Sequence, residues 1–273
     1  MKKIIFSLCM ILSLCACAPS VENEITAPED VRAASAVSGM YSNKAYGWGL
    51  KKNVKAPPEI PEETKTLMNL QHAYYLDTIP KTLYLTFDEG YENGYTAKIL
   101  DVLKENDVKA AFFITGPYLE KETDLVRRMV SEGHTVGNHT VHHPSMPQVT
   151  DNEKLKKEIT DLNDRFYELF GQNMKYIRPP KGEYSERTLA LSNDLGYTSV
   201  FWSFAYQDWD VNKQRGTDYA YKTITDGVHD GCVLLLHAVS KDNAEVLDRV
   251  IKDLKADGFV FRSLDEFGTK SNF

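Results

Sequence analysis

From about residue 81 the pattern of apolar and polar positions switches repeatedly between a period of two and a period near 3.6. Thr82 to Phe87 places Leu83, Leu85 and Phe87 on one face and reads as a strand. Tyr95 to Glu105 places Tyr95, Ile99, Val102 and Leu103 on one helical face. Ala110 to Thr115 reads as a second strand ended by Gly116-Pro117, and Leu119 to Glu132 as one helix stopped by Gly133. Thr135 to Gly137 is a short third strand. The helix from Asp151 to Phe170 has the strongest pattern: Leu155, Ile159, Leu162, Phe166 and Leu169 recur every three or four residues, and Gly171 follows as a C-cap. Strand 176–178, helix 185–195, strand 198–203, helix 218–228, strand 232–237, helix 243–256 and strand 259–261 complete the series. Seven strands alternating with helices predict an α/β fold on a parallel sheet, open or closed.

The chain before residue 81 reads differently. Residues 41–80 carry Tyr41, Tyr46, Trp48, Tyr74 and Tyr75 with prolines at 57, 58 and 61, which predicts an ordered wrap with little regular structure, packed by its aromatics. Residues 18–40 are Ala, Ser, Glu and Pro without periodicity and read as a flexible tether. At the start, Lys2 and Lys3 precede the apolar run Ile4 to Leu14, the layout of an export signal and too short to span a membrane as a mature helix. Leu14-Cys15-Ala16-Cys17 resembles a bacterial lipobox, which would make residues 1–17 a lipoprotein signal, Cys17 the lipidated residue and the mature protein a membrane-anchored one facing the cell wall. The alternatives are cleavage after Ala18, disfavoured by Pro19, and a plain hydrophobic anchor. Of the four cysteines only Cys232 then remains without a covalent role, and its neighbours Val233 to Leu236 make it a core residue. The chain is mildly acidic, with 32 Lys and Arg against 39 Asp and Glu and a net charge of −7. It therefore lacks the basic face that binding a nucleic acid needs.

The polar clusters fall where strands end. The first strand runs into Thr86-Phe87-Asp88-Glu89-Gly90, the third into Asn138-His139-Thr140-Val141-His142-His143-Pro144, and the fourth into Arg178-Pro179-Pro180-Lys181-Gly182. The fifth leads to Gln207-Asp208-Trp209 and the sixth ends in Leu234-Leu235-Leu236-His237. In a parallel β/α fold the C-terminal strand ends form one mouth, and chemistry gathers there. His139 and His143 are four apart, a spacing that lets two imidazoles converge on one cation. His142, between them, is expected to point away. His72, His134 and His229 have no such context and read as structural or surface residues.

These motifs, in this order, resemble the polysaccharide deacetylase family (NodB-homology carbohydrate esterases) over about residues 81–267. The strings YSNKAYGWG at 41–49, FDEGYENGYT, FWSFAYQDW and LLLHAVSKDNAE are similar to the sporulation enzymes that remove acetyl from muramic acid in peptidoglycan. The resemblance implies an irregular, roughly seven-stranded β/α barrel. It implies Asp88 as general base toward the attacking water, His237 as general acid for the leaving amine, Arg178 as the partner that holds Asp88 ionised, and Asp208 as the carboxylate that orients His237. It implies a divalent metal ion, Zn by ligand type, on Glu89, His139 and His143, with Glu89 standing where relatives carry Asp. Trp209 and Leu235 are expected to wall the acetyl group. Lys181 is expected to supply a backbone N–H to the oxyanion and a cation near position 3 of the sugar.

The expected function is metal-dependent removal of acetyl from N-acetylmuramic acid in peptidoglycan strands, leading to muramic δ-lactam in spore cortex, by a monomer. The alternatives are a deacetylase of N-acetylglucosamine polymers, an esterase on acetylated xylan or chitin, and a non-catalytic glycan-binding barrel.

Overall fold

The computed structural model describes residues 41–51 and 55–269. The signal, the tether and Cys17 lie outside the described residues. The elements are β1 (Tyr46–Gly47), α1 (Glu62–Leu70), β2 (Thr82–Glu89), α2 (Thr96–Glu105), β3 (Ala111–Ile114), α3 (Gly116–Lys121), α4 (Thr123–Ser131), β4 (Thr135–Asn138) and α5 (Asn152–Phe170). Next come β5 (Tyr176–Ile177), β6 (Glu183–Tyr184), α6 (Glu186–Asp194), β7 (Thr198–Ser199), β8 (Phe204–Ala205), α7 (Thr217–Gly227), β9 (Cys232–His237), α8 (Lys241–Ala256) and β10 (Val260–Phe261).

Seven parallel strands form a curled sheet in the order β7-β5-β4-β3-β2-β9-β8. β10 runs parallel to the start of β2, and helices cover the outer face. Each strand feeds its two faces into different cores, because successive side chains point to opposite sides. Leu83, Leu85, Phe87, Phe112, Ile114, Leu234 and Leu236 pack outward with the helices. Tyr84, Ala111, Phe113, Tyr176, Val200 and Val233 pack together inside the curl. Cys232 belongs to the outer set, and burial pushes its thiol up to about 12, so it is inert at neutral pH.

The periodicity located the long elements well. Asp151 caps α5, its carboxylate accepting from the N–H of Glu153 (2.9 Å) and Lys154 (3.2 Å), and Gly171 closes the helix with φ 68°. Three expectations need correction. The helix read over 119–132 is two helices broken at Glu122, whose backbone (φ −114°, ψ 34°) leaves the helical region. The strand read over 198–203 is a strand only at Thr198–Ser199 and resumes as β8 at Phe204: Val200 N–H still donates to Ile177 O (2.8 Å) and Ser203 N–H already donates to Val233 O (3.0 Å), so the chain crosses from one edge of the sheet to the other at 201–202. The wrap contains a nine-residue helix, α1, whose Met68 is fully buried.

The wrap also fills the seam between the edges of the sheet. Tyr74 N–H donates to Ser199 O (2.8 Å), Tyr74 O accepts from Phe201 N–H (2.7 Å), and Asp77 N–H donates to Gly231 O (2.9 Å). The approach at Gly231 is so close that a Cβ there would lie 1.9 Å from Asp77 O, and its φ of 69° is in the left-handed region, so glycine is required.

His134 is a buried group with a pH consequence. Its Nδ1 accepts from Ala110 N at 3.2 Å, which keeps the ring neutral, and burial lowers its pKa from 6.5 to about 4. The unfolded chain binds this proton more readily, so the stabilisation is complete above pH 6.5 and is lost as pH falls toward 4. The full effect is on the order of 3 kcal/mol. Denaturant titrations at several pH values should show a steeper loss of stability over this window for wild type than for His134→Phe. Parallel curves would show that His134 is not the linked group.

Candidate active site

Alternation along the strands selects the residues that face the mouth. Asp88 follows Tyr84 and Thr86 on the inner face of β2, and His237 follows Val233 and Leu235 on β9. The parallel register pairs Asp88 directly with His237. His139 and Arg178 stand one residue beyond β4 and β5, in phase with Gly137 and Tyr176 on the same inner face. Gly137 is needed beneath His139, since a Cβ there would lie 2.5 Å from the Phe113 ring.

Arg178 is fully buried and fully engaged. Its Nη1 donates to Asp88 Oδ1 (2.7 Å), Nε to Val200 O (3.0 Å) and Nη2 to Phe201 O (3.3 Å). Its guanidinium lies 4.2 Å from the centre of the Phe113 ring. Burial alone would raise the pKa of Asp88, but Arg178, with His139 and His237, outweighs it and holds the carboxyl below its ordinary value. Asp88 is thus a carboxylate at neutral pH.

His237 has the opposite bias. Its Nδ1–H donates to Asp208 Oδ1 (2.7 Å) and its backbone N–H to Asp208 Oδ2 (2.8 Å). Asn243 Nδ2 donates to the same Oδ2 (2.6 Å), and Asp208 is 1% exposed. Burial disfavours the charged ring, but the charge of Asp208 and its hydrogen bond overcome this and raise the pKa of His237 above its ordinary value. The Trp209 ring stands edge-on to His237 at 5.8 Å, itself half exposed.

His139 and His143 converge. His139 Nδ1–H donates to Arg178 O (2.8 Å), which leaves Nε2 as an acceptor 3.1 Å from His143 Nε2 and 3.5 Å from Asp88 Oδ2. Burial lowers the pKa of both rings, that of His139 to about 4, so both are neutral at physiological pH. Two neutral imidazole nitrogens 3.1 Å apart are donors of the type a divalent cation takes. The expected third ligand is elsewhere. Glu89 shares the outward face of β2 with Leu83, Leu85 and Phe87, is 0% exposed, and has neither carboxylate oxygen hydrogen-bonded. Burial first, then Glu92 and Asp88, raise its pKa well above the ordinary value. Among the described residues no group of three or more His, Cys, Asp or Glu side chains is arranged to hold a metal ion. Adjacent strand residues point to opposite faces, so Asp88 and Glu89 cannot both enter the mouth without a local twist.

A cavity of about 1000 Å³ opens over this site, bordered by Asp88, His139, His143, Lys181, Trp209, Leu235 and His237. Every residue given a catalytic, substrate-binding or metal role from the sequence within the described span reaches it except Arg178 and Asp208, which stand behind Asp88 and His237, and Glu89. Residues given no role of their own in the sequence reading also contribute. Asn243 orients Asp208, Tyr91 and Tyr206 line the cavity, and Leu50 brings the wrap to its wall. Asn243 lies in the SKDNAE string, but only the fold shows what it touches.

Residues 76–200 match the family model described as polysaccharide deacetylase. The chain is 44% identical over 227 residues to the peptidoglycan-N-acetylmuramic acid deacetylase PdaA of Bacillus subtilis, covering 82% of this chain and 86% of that protein. It belongs to the polysaccharide deacetylase family. It is accordingly a deacetylase-type hydrolase, and its barrel is the family's. The solved structure of Bacillus subtilis PdaA, a family 4 carbohydrate esterase, superposes with a TM-score of 0.80 at 42% identity, covering 83% of this chain and 97% of that one. An uncharacterized 30.6 kDa protein of Geobacillus stearothermophilus is 51% identical over 88% of this chain and 91% of its own length.

Because Asp208 sets the proton affinity of His237, Asp208→Asn should move the basic limb of the pH–rate profile to lower pH. Turnover should fall by about 10- to 100-fold. An unmoved basic limb would show that His237 is not the titrating acid.

Proposed function

We propose that the protein hydrolyses the acetamide of N-acetylmuramic acid in peptidoglycan, leaving a free amine that closes to muramic δ-lactam in spore cortex. The observation that carries the chemistry is the opposed pair on one cavity: a carboxylate held ionised by Arg178 and an imidazole whose proton affinity Asp208 raises. Asp88 accepts a proton from the attacking water as the C–O bond forms. His237 delivers a proton to the nitrogen as the C–N bond breaks, releasing acetate. Leu235 and Trp209 border the acetyl group and exclude water from it. The N–H of Lys181 faces the developing oxyanion.

A divalent metal, Zn by ligand type, would be held by His139 and His143 and would supply Lewis acidity toward the amide carbonyl and the water. The likeness to the muramic acid deacetylase supports the choice of sugar. Lys181 supports it too, as an exposed cation on the cavity wall held in a left-handed turn at φ 59°. The lactyl group of peptide-free muramic acid ends in a carboxylate, and a charge-assisted hydrogen bond to it is worth roughly 1.5–3 kcal/mol.

The test is acetate release from peptide-free muramic acid glycans and from N-acetylglucosamine oligomers, with and without chelator. Lys181→Met should lower activity on the first about tenfold and leave the second unchanged. Equal loss on both would reduce Lys181 to loop support, and preference for glucosamine by wild type would favour the alternative deacetylase. No acetate from either substrate would leave a glycan-binding barrel.

For location, the lipobox-like Cys17 supports export and a lipid anchor, which would set the barrel against the cell wall. Cys17→Ser should move the protein out of the detergent phase on partition. Partition equal to wild type would refute the anchor.

A further inference from the structure

His142, between the two converging histidines, has a 74% exposed side chain and yet is firmly held. Its Nδ1–H donates to Glu158 Oε1 (2.7 Å) and its backbone N–H to Glu158 Oε2 (2.8 Å). Val141 N–H donates to the carbonyl of the same Glu158 (2.9 Å). On the other side Gly116 N–H donates to Val141 O (3.0 Å), with so little space that a Cβ at Gly116 would stand 2.8 Å from Val141 Cγ1. The segment is therefore clamped between α3 and α5.

The clamp holds a backbone that would not choose this shape. Thr140 (φ 63°) and His143 (φ 56°) are both left-handed, a conformation that is strained for a non-glycine residue. Such geometry persists only where the surroundings over-determine it. The local bonds, His143 N to Thr140 Oγ1 (3.0 Å) and Thr140 N to Asn138 Oδ1 (2.8 Å), shape the turn but do not fix it against the barrel. That anchorage comes from Glu158, on a helix whose Leu155, Ile159 and Leu162 are wholly buried, together with Asn138, whose Nδ2 donates to Ile159 O (2.8 Å).

We propose that Glu158 is a positioning residue for the histidine pair: its two-point grip on His142 sets the separation of His139 Nε2 and His143 Nε2, and with it the affinity for a divalent metal. This rests on the reading of that pair as metal ligands. A carboxylate–histidine pair near the surface ordinarily adds little to stability. A mere loop anchor would therefore lower stability slightly and leave metal affinity alone.

Full-length protein loaded with Zn(II) would be titrated with a chromogenic chelator, and melting temperature measured alongside. Glu158→Ala should weaken Zn(II) binding by about 10-fold or more. Glu158→Gln should restore most of it, since an amide can still accept from His142 N–H and pair with the ring nitrogen. His142→Ala, which keeps the backbone bond and leaves α5 untouched, should fall between wild type and Glu158→Ala, and it carries the test if Glu158→Ala does not fold. Wild-type Zn(II) affinity in Glu158→Ala, or in His142→Ala in that case, overturns the proposal while leaving the metal reading intact. A wild-type protein that holds no Zn(II) overturns the metal reading and the proposal together.

Discussion

A fully buried arginine is the constraint on which this site is built. Arg178 cannot lose its charge, and removing one partner from such a buried pair typically costs about 3–5 kcal/mol. The fold therefore brings a carboxylate, two carbonyls and an aromatic ring to one guanidinium. Each has its own requirement. Asp88 must face inward on β2, and the Phe113 ring must lie within 4.2 Å of the guanidinium, which leaves room only for glycine at 137. The carbonyls of residues 200 and 201 must turn toward Arg178 where the strand ends, while Tyr74 of the wrap holds the backbone of 199 and 201.

The same geometry separates two neighbouring carboxyl groups by charge state. Asp88, paired with Arg178, is held ionised, whereas Glu89, one residue on, is buried against the helices with its pKa raised. The opposed biases of Asp88 and His237 follow from the partner that stands behind each, a guanidinium for one and a carboxylate for the other. The parallel register of β2 and β9 sets these two groups side by side, which suits a reaction that removes a proton at one atom and delivers one at another.

Period-two patterning in 82–87 and 232–237 was legible because each strand packs its outer face against helices and its inner face on the interior of the curl. Helix α5 was legible because its buried stripe is long and both its ends are capped. The crossing at 201–202 was not, since Val200 and Phe201 are apolar and β-compatible, and their carbonyls are turned to an arginine that is distant in sequence. Glu158 gave no signal, because a lone acid on a helix looks like any solvated one until the HTVHHP turn is laid against it.

The sequence by itself determined the alternation of strands and helices, the polar clusters at the strand ends and the family to which they belong. These are local in the chain, and periodicity and motif spacing record local chemistry directly. Tertiary structure alone decided which of Asp88 and Glu89 enters the mouth, which imidazole nitrogen is left free, how Asn243 and Glu158 serve the site, and that the wrap seals the seam. Each of these depends on a partner far away in sequence, brought within hydrogen-bond distance only when the sheet curls.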